Sequence, residues 1–370
     1  MSSASSDILL VVVVATALGF DFTNGFHDTA NAVATTISTR ALPPRVAVGF
    51  SALLNFAGAF ISLKVATTIA KGIVSTTEIT LAVVFAGLVG AIVWNLITWY
   101  RGLPSSSSHA LIGGLVGAVL VAHGSAAVNG AGVIGKVILP ALISPTLAFA
   151  VAALSVLSAY RILGGRPPGF VSRGFRLGQL LSSALLSLSH GTNDGQKTMG
   201  VITLALVAHG SISAAHLHVP LWVIASAATA MGLGTYAGGW RIIRTTGMRI
   251  IKMNPAQGFA AQGAGAAVIL AVSHFGFPIS TTHVINGGVM GSGAARRLSA
   301  VRWGVARNII IAWVLTLPAA AAAGAAVYGI TRIFGQGLAG PVVVLACGVL
   351  ALLVLAARSS RRGVPAVVPR

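Results

Sequence analysis

Gly25-Phe26-His27-Asp28-Thr29 near the start of the chain and Gly191-Thr192-Asn193-Asp194-Gly195 past its midpoint are two versions of one pattern, with Asp194 following Asp28 by 166 positions. Each carries an acid three residues after a glycine, inside a long apolar run. A second pattern also occurs twice, as Pro104-Ser105-Ser106-Ser107-Ser108-His109 and as Pro278-Ile279-Ser280-Thr281-Thr282-His283, 174 positions apart. Past it, Gly113-Gly114 and Gly117 recur as Gly287-Gly288 and Gly291. Two patterns repeated in the same order at nearly the same spacing mark an internal duplication.

The duplication lies in a chain of 370 residues that is 55% hydrophobic and 8% charged, with mean hydropathy +0.90. Soluble domains carry about 25% charged residues, and a core of this size could not stay dispersed in water with so few. A bilayer is the solvent that fits. Eleven apolar segments run over 8–37, 44–70, 79–100, 104–123, 131–160, 176–208, 219–240, 257–275, 278–293, 303–331 and 338–357, most near the ~20 residues a membrane helix needs. The loops between them leave no room for a second soluble domain. The composition therefore predicts an all-α integral membrane protein of about 10–12 segments. The excess of 24 Lys+Arg over 5 Asp+Glu, net +19, falls in the short gaps between segments. That is the distribution of the positive-inside rule, and no basic face interleaved with aromatics suggests nucleic acid. Cys347 is the one cysteine, so no intrachain disulfide can form. No basic n-region precedes the first apolar stretch, which reads as a membrane span rather than a cleaved signal.

Basic residues set an orientation. Arg161, Arg166, Arg173 and Arg176 share one gap; Arg241, Arg244, Arg249 and Lys252 another; Arg296, Arg297 and Arg302 a third; Arg358, Arg361, Arg362 and Arg370 the tail. Placing all four in the cytoplasm also puts Arg40 and Arg45 inside and His209, His216 and His218 outside, with the N-terminus outside and the C-terminus inside. Asp28 and Asp194 then lie on segments running in opposite directions. Residues 1–160 and 161–370, the latter with the basic tail, become two inverted repeats of five segments each, the eleventh segment at 338–357 following the second set of five. Such repeats characterise secondary transporters, whose substrate sites lie at the repeat interface beside discontinuous helices. Segments 79–123 and 257–293 can each be two crossings or one re-entrant hairpin. A hairpin would bury Arg101 close to its tip, facing the substrate.

Only five acids exist: Asp7 at the chain start, Glu78 in a loop, and Asp21, Asp28 and Asp194 within apolar segments. A carboxylate in the bilayer costs several kcal/mol or more unless paired or hydrated. Asp21 reads nearly as well as a helix-terminal acid snorkelling to the interface. Asp28 and Asp194 do not, since they are repeat-related and flanked by Asn24, Asn31, Asn193, Gln196 and Lys197. Carboxylate and amide oxygens around a break in a helix suit a hard cation such as Na⁺ or Mg²⁺, which makes Asp28, Asp194, Asn24, Asn31, Asn193 and Gln196 the candidate cation-coupling residues. The second pattern reads as a helix N-terminus, Pro followed by Ser or Thr. Capping explains one hydroxyl, not three in each repeat. Two such termini meeting at mid-membrane, with Ser106, Ser107, Ser108, Ser280, Thr281 and Thr282, would cradle a tetrahedral oxyanion. His27, His109, His190 and His283 read equally as structural residues or proton carriers. No spacing of nucleophile and base, or of metal ligands beyond these motifs, points to an enzyme.

These residues resemble the inorganic phosphate transporter (PiT) family, which carries a Gly-x-Asn-Asp-x-x-Asn-Ala type signature in each half. Here it stands as Gly25-Phe26-His27-Asp28-Thr29-Ala30-Asn31-Ala32 and as His190-Gly191-Thr192-Asn193-Asp194-Gly195-Gln196-Lys197. The family's Pro-x-Ser-Thr-Thr-His element stands at 104–109 and 278–283, and Gly238-Gly239-Trp240-Arg241 is also similar to a family segment. The resemblance covers nearly the whole chain. It implies symport of inorganic phosphate across the cell membrane with Na⁺ or H⁺, in some members as a neutral metal–phosphate complex. No cofactor is implied, the lipid bilayer and phosphate are the partners, and a homodimer is left open. Asp28 and Asp194 would ligate the cation, and Ser106 to Ser108 with Ser280 to Thr282 would hold the anion. Two departures make the half-sites unequal: His27 where Asn is common, and Lys197 where the first signature has Asn31. Sulfate, which some members move, has no proton to donate to a site carboxylate, so a free acceptor acid favours HPO₄²⁻. An anion channel would need a continuous pore, which buried carboxylates at a repeat interface do not suggest.

Overall fold

The computed structural model describes residues 3–74, 79–335 and 337–361, with side chains as far as residue 350. Glu78, Arg362 and Arg370 lie outside the described residues. The helices are α1 (Ser3–Ser38), α2 (Pro44–Gly58), α3 (Lys64–Gly72), α4 (Leu81–Arg101), α5 (Ser107–His123), α6 (Gly130–Val133), α7 (Leu139–Leu163), α8 (Pro168–His209), α9 (Leu221–Ala237), α10 (Trp240–Arg244), α11 (Pro255–His274), α12 (Thr281–Ala294), α13 (Trp303–Ile333) and α14 (Ala339–Arg361). A π-turn at Ile134–Ile138 joins α6 to α7, and another at Thr245–Arg249 prolongs α10. Helices are the expected solution, because lipid offers no partners to backbone N–H and C=O groups. Among the described residues five helical stretches, one of them running from α6 through α7, are long and apolar enough to cross a membrane, and α9 with the α10 segment makes a sixth, bent by 59°.

The breaks do not fall where the sequence suggested. Both α1 and α8 run unbroken through Asp28 and Asp194. The interruptions lie instead between α2 and α3, within what read as one segment at 44–70, and at Gly238-Gly239. Gly238 has φ +75°, and a Cβ on Gly239 would collide with the carbonyl of Phe26, so the bend and its docking on α1 both require glycine. Helix α8 begins at Pro168, upstream of the apolar run, carrying exposed Arg173 and Arg176. The basic gap after residue 240 is helical as far as Arg249.

At the centre, α1 and α8 lie antiparallel: the Thr36 hydroxyl donates to Ser183 Oγ at 3.1 Å and Thr39 to Gln179 Oε1 at 2.8 Å. Neighbours come in matched sets. Helix α1 packs on α9 as α8 packs on α2, and α5 packs on α13 as α12 packs on α7. The repeated glycines are the crossing points. A Cβ on Gly113 would meet the carbonyl of Leu317 and one on Gly287 that of Pro145; the same holds for Gly117 with Ala321 and Gly291 with Phe149. Small residues let membrane helices approach to backbone contact. Helices α4–α5 and α11–α12 form two hairpins. Gly102 and Gly276, with φ +64° and +78°, end their first arms, and Pro104 and Pro278 follow.

Candidate functional site

The two hairpin tips meet between α1 and α8. The Ser108 hydroxyl donates to the Ile279 carbonyl at 3.0 Å, and the rings of His109 and His283 lie edge to face at 4.8 Å. His283 in turn stacks on Trp313 at 4.1 Å. Ser106 and Ser280 cap the second arms by accepting from the N–H groups of His109 (3.1 Å) and His283 (3.2 Å). Two capped helix N-termini thus point into one buried space.

The carboxylates of Asp28 and Asp194 line that space. Asp28 Oδ1 lies 2.7 Å from His27 Nδ1 and accepts from the Thr282 hydroxyl at 3.4 Å. Asp194 Oδ2 accepts from the Thr281 hydroxyl at 3.1 Å and lies 3.3 Å from His190 Nε2, while Oδ1 pairs with the Lys197 ammonium. Asn31 Nδ2 donates to Thr282 Oγ1 at 2.9 Å and to Thr281 Oγ1 at 3.3 Å. Lys197 also donates to Ser108 Oγ and, at 2.9 Å, to the Ile279 carbonyl. Asp28, His190 and Asp194 each bring a potential ligand atom within 4.8 Å of the others, and all three are buried. Two carboxylates and an imidazole at that separation, with hydroxyl oxygens beside them, fit the donor set of a small cation.

Of the residues singled out from sequence, Asp28, Asp194, Asn31, Ser108, Thr281 and Thr282 are in direct contact here. Ser107 is buried beside them, its hydroxyl without a partner among the described residues. Ser106 and Ser280 are engaged as caps. Three expected cation ligands point elsewhere. Gln196 Oε1 accepts from the Val65 and Ala66 N–H groups at 2.8 and 3.2 Å, tying α8 to the start of α3. Asn24 donates to Asp21 at 3.5 Å, and Asn193 donates to Ser273 Oγ at 2.7 Å and the Phe277 carbonyl at 3.1 Å. Arg101 is exposed at the end of α4 and does not face the site, because the Gly102 turn reverses the chain before the tip. Asp21 is fully buried at the middle of α1, so it does not snorkel to an interface. Besides His27, the chain neighbour of Asp28, sequence reasoning left two site members without an assigned role, His190 and Lys197. Their signal was helical spacing, four residues before and three after Asp194.

Surroundings differ along the α1–α8 axis. On one side lie buried Thr36, Thr39, Gln179, Ser182, Ser183 and Gln262, joined by hydrogen bonds such as Gln262 Nε2 to Thr36 Oγ1 at 2.6 Å. On the other side Val13, Ala17, Phe20, Ile202 and Leu206 form apolar core. A separate cleft of about 640 Å³, walled by Pro145, Phe149 and Trp313, reaches His109 and His283 but neither carboxylate.

A buried cluster of carboxylates and hydroxyls, held between antiparallel helices of a polytopic all-α membrane protein, is the arrangement expected of a membrane carrier. A family model described as the phosphate transporter family matches residues 24–324, and the chain belongs to that family. It is a multi-pass membrane phosphate transporter and not an enzyme. A probable low-affinity inorganic phosphate transporter of Mycobacterium bovis is 55% identical over 88% of this chain and 78% of its own length. One of Bacillus subtilis is 46% identical over 87% of this chain and 96% of its own. A solved structure described as the sodium-dependent phosphate transporter superposes with a TM-score of 0.78 at 26% identity, covering 88% of this chain and 99% of that one.

Proposed function

We propose that the chain carries inorganic phosphate by cation-coupled symport, with the cation on the Asp28–Asp194 carboxylates and the anion at the hairpin tips. One observation carries this reading: Thr281 and Thr282, which begin α12, donate their hydroxyl protons to Asp194 and Asp28 themselves. A hydroxyl has one proton to give. A cation on the carboxylates takes over their oxygens and draws on the hydroxyl lone pairs. The two protons are then released toward an anion at the N-termini of α5 and α12, where the Ser107 hydroxyl and the helix dipoles add to the cradle. Cation and phosphate therefore favour each other's binding, and that favour is reciprocal. A phosphate dianion entering without a cation would meet two carboxylates in a low-dielectric space. The antiparallel α1 and α8, with matched neighbours, support reading residues 1–160 and 161–370 as inverted repeats around this site, and the touching tips favour re-entrant hairpins.

The test is uptake of labelled phosphate into proteoliposomes, with Na⁺ and pH gradients imposed separately and sulfate as competitor. Asp28→Asn keeps the shape and removes the charge. It should reach the membrane at normal levels and lose gradient-driven accumulation. Wild-type accumulation with wild-type cation dependence in that variant would make Asp28 structural and move the coupling site elsewhere.

A further inference from the structure

We propose that the Lys197 ammonium is a tethered cation that permanently fills one of two repeat-related cation positions, so that transport needs one mobile cation fewer than the symmetry of the fold provides for. The inference rests on the cation-coupled reading above and concerns its stoichiometry.

Lys197 and Asn31 are 166 positions apart, the same separation as Asp194 and Asp28, so they are counterparts. Their contacts are counterparts too. The Asn31 amide reaches Thr282, and the Lys197 ammonium reaches Ser108, the residue that matches Thr282 in the other tip. Asn31 brings no charge to its half-site. Lys197 does the same positioning work and adds a full positive charge on Asp194 Oδ1.

Lys197 is 1% exposed, among the most buried large side chains of the molecule. Lysine is almost never buried so completely unless paired. Here the pairing is complete: Asp194 Oδ1, Ser108 Oγ and the Ile279 carbonyl account for all three ammonium donors. Those acceptors, a carboxylate, a hydroxyl and a backbone carbonyl, are also the oxygen set a small hard cation takes. A mobile cation competing for Asp194 Oδ1 would lie against a fixed like charge at contact distance. On the Asp28 side no Lys or Arg makes a hydrogen bond or ion pair to the carboxylate among the described residues: His27, Asn31 and Thr282 are the neighbours, with His190 close by. That leaves one mobile position, reached by Asp28, His190 and a remaining oxygen of Asp194. With the imidazoles neutral, two carboxylates and one ammonium leave a single negative charge before substrate enters. With an amide in place of Lys197 they would leave two.

Lys197→Asn recreates in the second half-site the residue found in the first, and Lys197→Arg retains the charge. In proteoliposomes, the accumulation ratio of labelled phosphate against imposed Na⁺ and pH gradients gives the number of cations moved per phosphate. Lys197→Asn should raise that number by one over wild type, and Lys197→Arg should leave it unchanged. An unchanged number in Lys197→Asn, with only the KM for phosphate raised, would make Lys197 a direct anion ligand and overturn the proposal. Should Lys197→Asn not transport, thermal unfolding of the purified variant titrated with NaCl, against choline chloride, reads cation binding directly. Greater stabilisation by Na⁺ than in wild type supports the tethered cation, and equal or smaller stabilisation overturns it. Absence of any cation coupling in the wild-type protein would instead refute the underlying reading, and that arm needs no variant.

Discussion

Residue chemistry decides which hydroxyls matter to the substrate. Ser107 and Thr281 occupy matching positions at the two tips, yet Thr281 donates to Asp194 while the Ser107 hydroxyl is buried without a partner. A buried orphan donor is costly unless a ligand uses it. A hydrogen bond to a charged group is worth about 1.5–3 kcal/mol, or roughly ten- to a hundredfold in affinity. Ser107→Ala and Thr281→Ala should therefore each raise the KM for phosphate within that range in vesicle uptake; a KM unchanged in both would place the anion elsewhere. The acids of this site were legible in the sequence, because a carboxylate amid apolar residues has few inexpensive explanations. Their partners were less so. Expecting a break at each acid, the sequence reading grouped Asn193 and Gln196 with Asp194 by proximity along the chain. On an unbroken helix, positions one or two apart face different directions, while i−4 and i+3 share a face. Hence His190 and Lys197 attend Asp194, and Gln196 serves α3 instead.

Among the elements, the long helices were legible from apolar length, but whether α4–α5 and α11–α12 cross fully was not. Arms of 21 and 20 residues in α4 and α11 are long enough either way. Only the contact between tips, Ser108 on Ile279 and His109 on His283, distinguishes a hairpin, and that contact joins residues 171 and 174 positions apart. The recurring glycines were visible as a repeat without their reason. In the fold they are the places where α5 meets α13 and α12 meets α7 at backbone distance. Gly117→Ala would force a Cβ onto the Ala321 carbonyl, whereas Gly329→Ala, on α13, meets nothing within 4 Å. Overpacking at a close crossing costs about 1–3 kcal/mol. Gly117→Ala should lower the thermal midpoint of the purified protein while Gly329→Ala leaves it level or higher. Equal midpoints would mean that the crossing is looser than the glycine spacing implies.

For the whole molecule, the charges at the two ends of α8 favour one orientation in the membrane. Its 42 residues measure about 63 Å, twice the ~30 Å hydrocarbon core, so α8 is long enough to cross with both ends in water. Before it, the last turn of α7 exposes Arg161 and the connection exposes Arg166, and its own first turns expose Arg173 and Arg176. The connection after it exposes His216 and His218. The positive-inside rule predicts the first of these in the cytoplasm and the second outside. We propose on this basis that the N-terminus of antiparallel α1 is outside and that the hydrogen-bonded column of Thr36, Thr39, Gln179, Ser183 and Gln262 is on the cytoplasmic side of the carboxylates. Single cysteines in a Cys347→Ala background, which removes the chain's own thiol, test this. Gly165→Cys and Ala214→Cys sit in the two connections at exposed positions, and a side chain at Gly165 meets no neighbour within 4 Å. An impermeant maleimide added to intact cells should label Ala214→Cys and reach Gly165→Cys only after permeabilisation. Labels exchanged between the two sites would reverse the molecule in the membrane while leaving the antiparallel halves intact. Equal labelling of both from outside would mean that α8 does not span, and would remove the basis for placing Asp28 and Asp194 on oppositely directed segments.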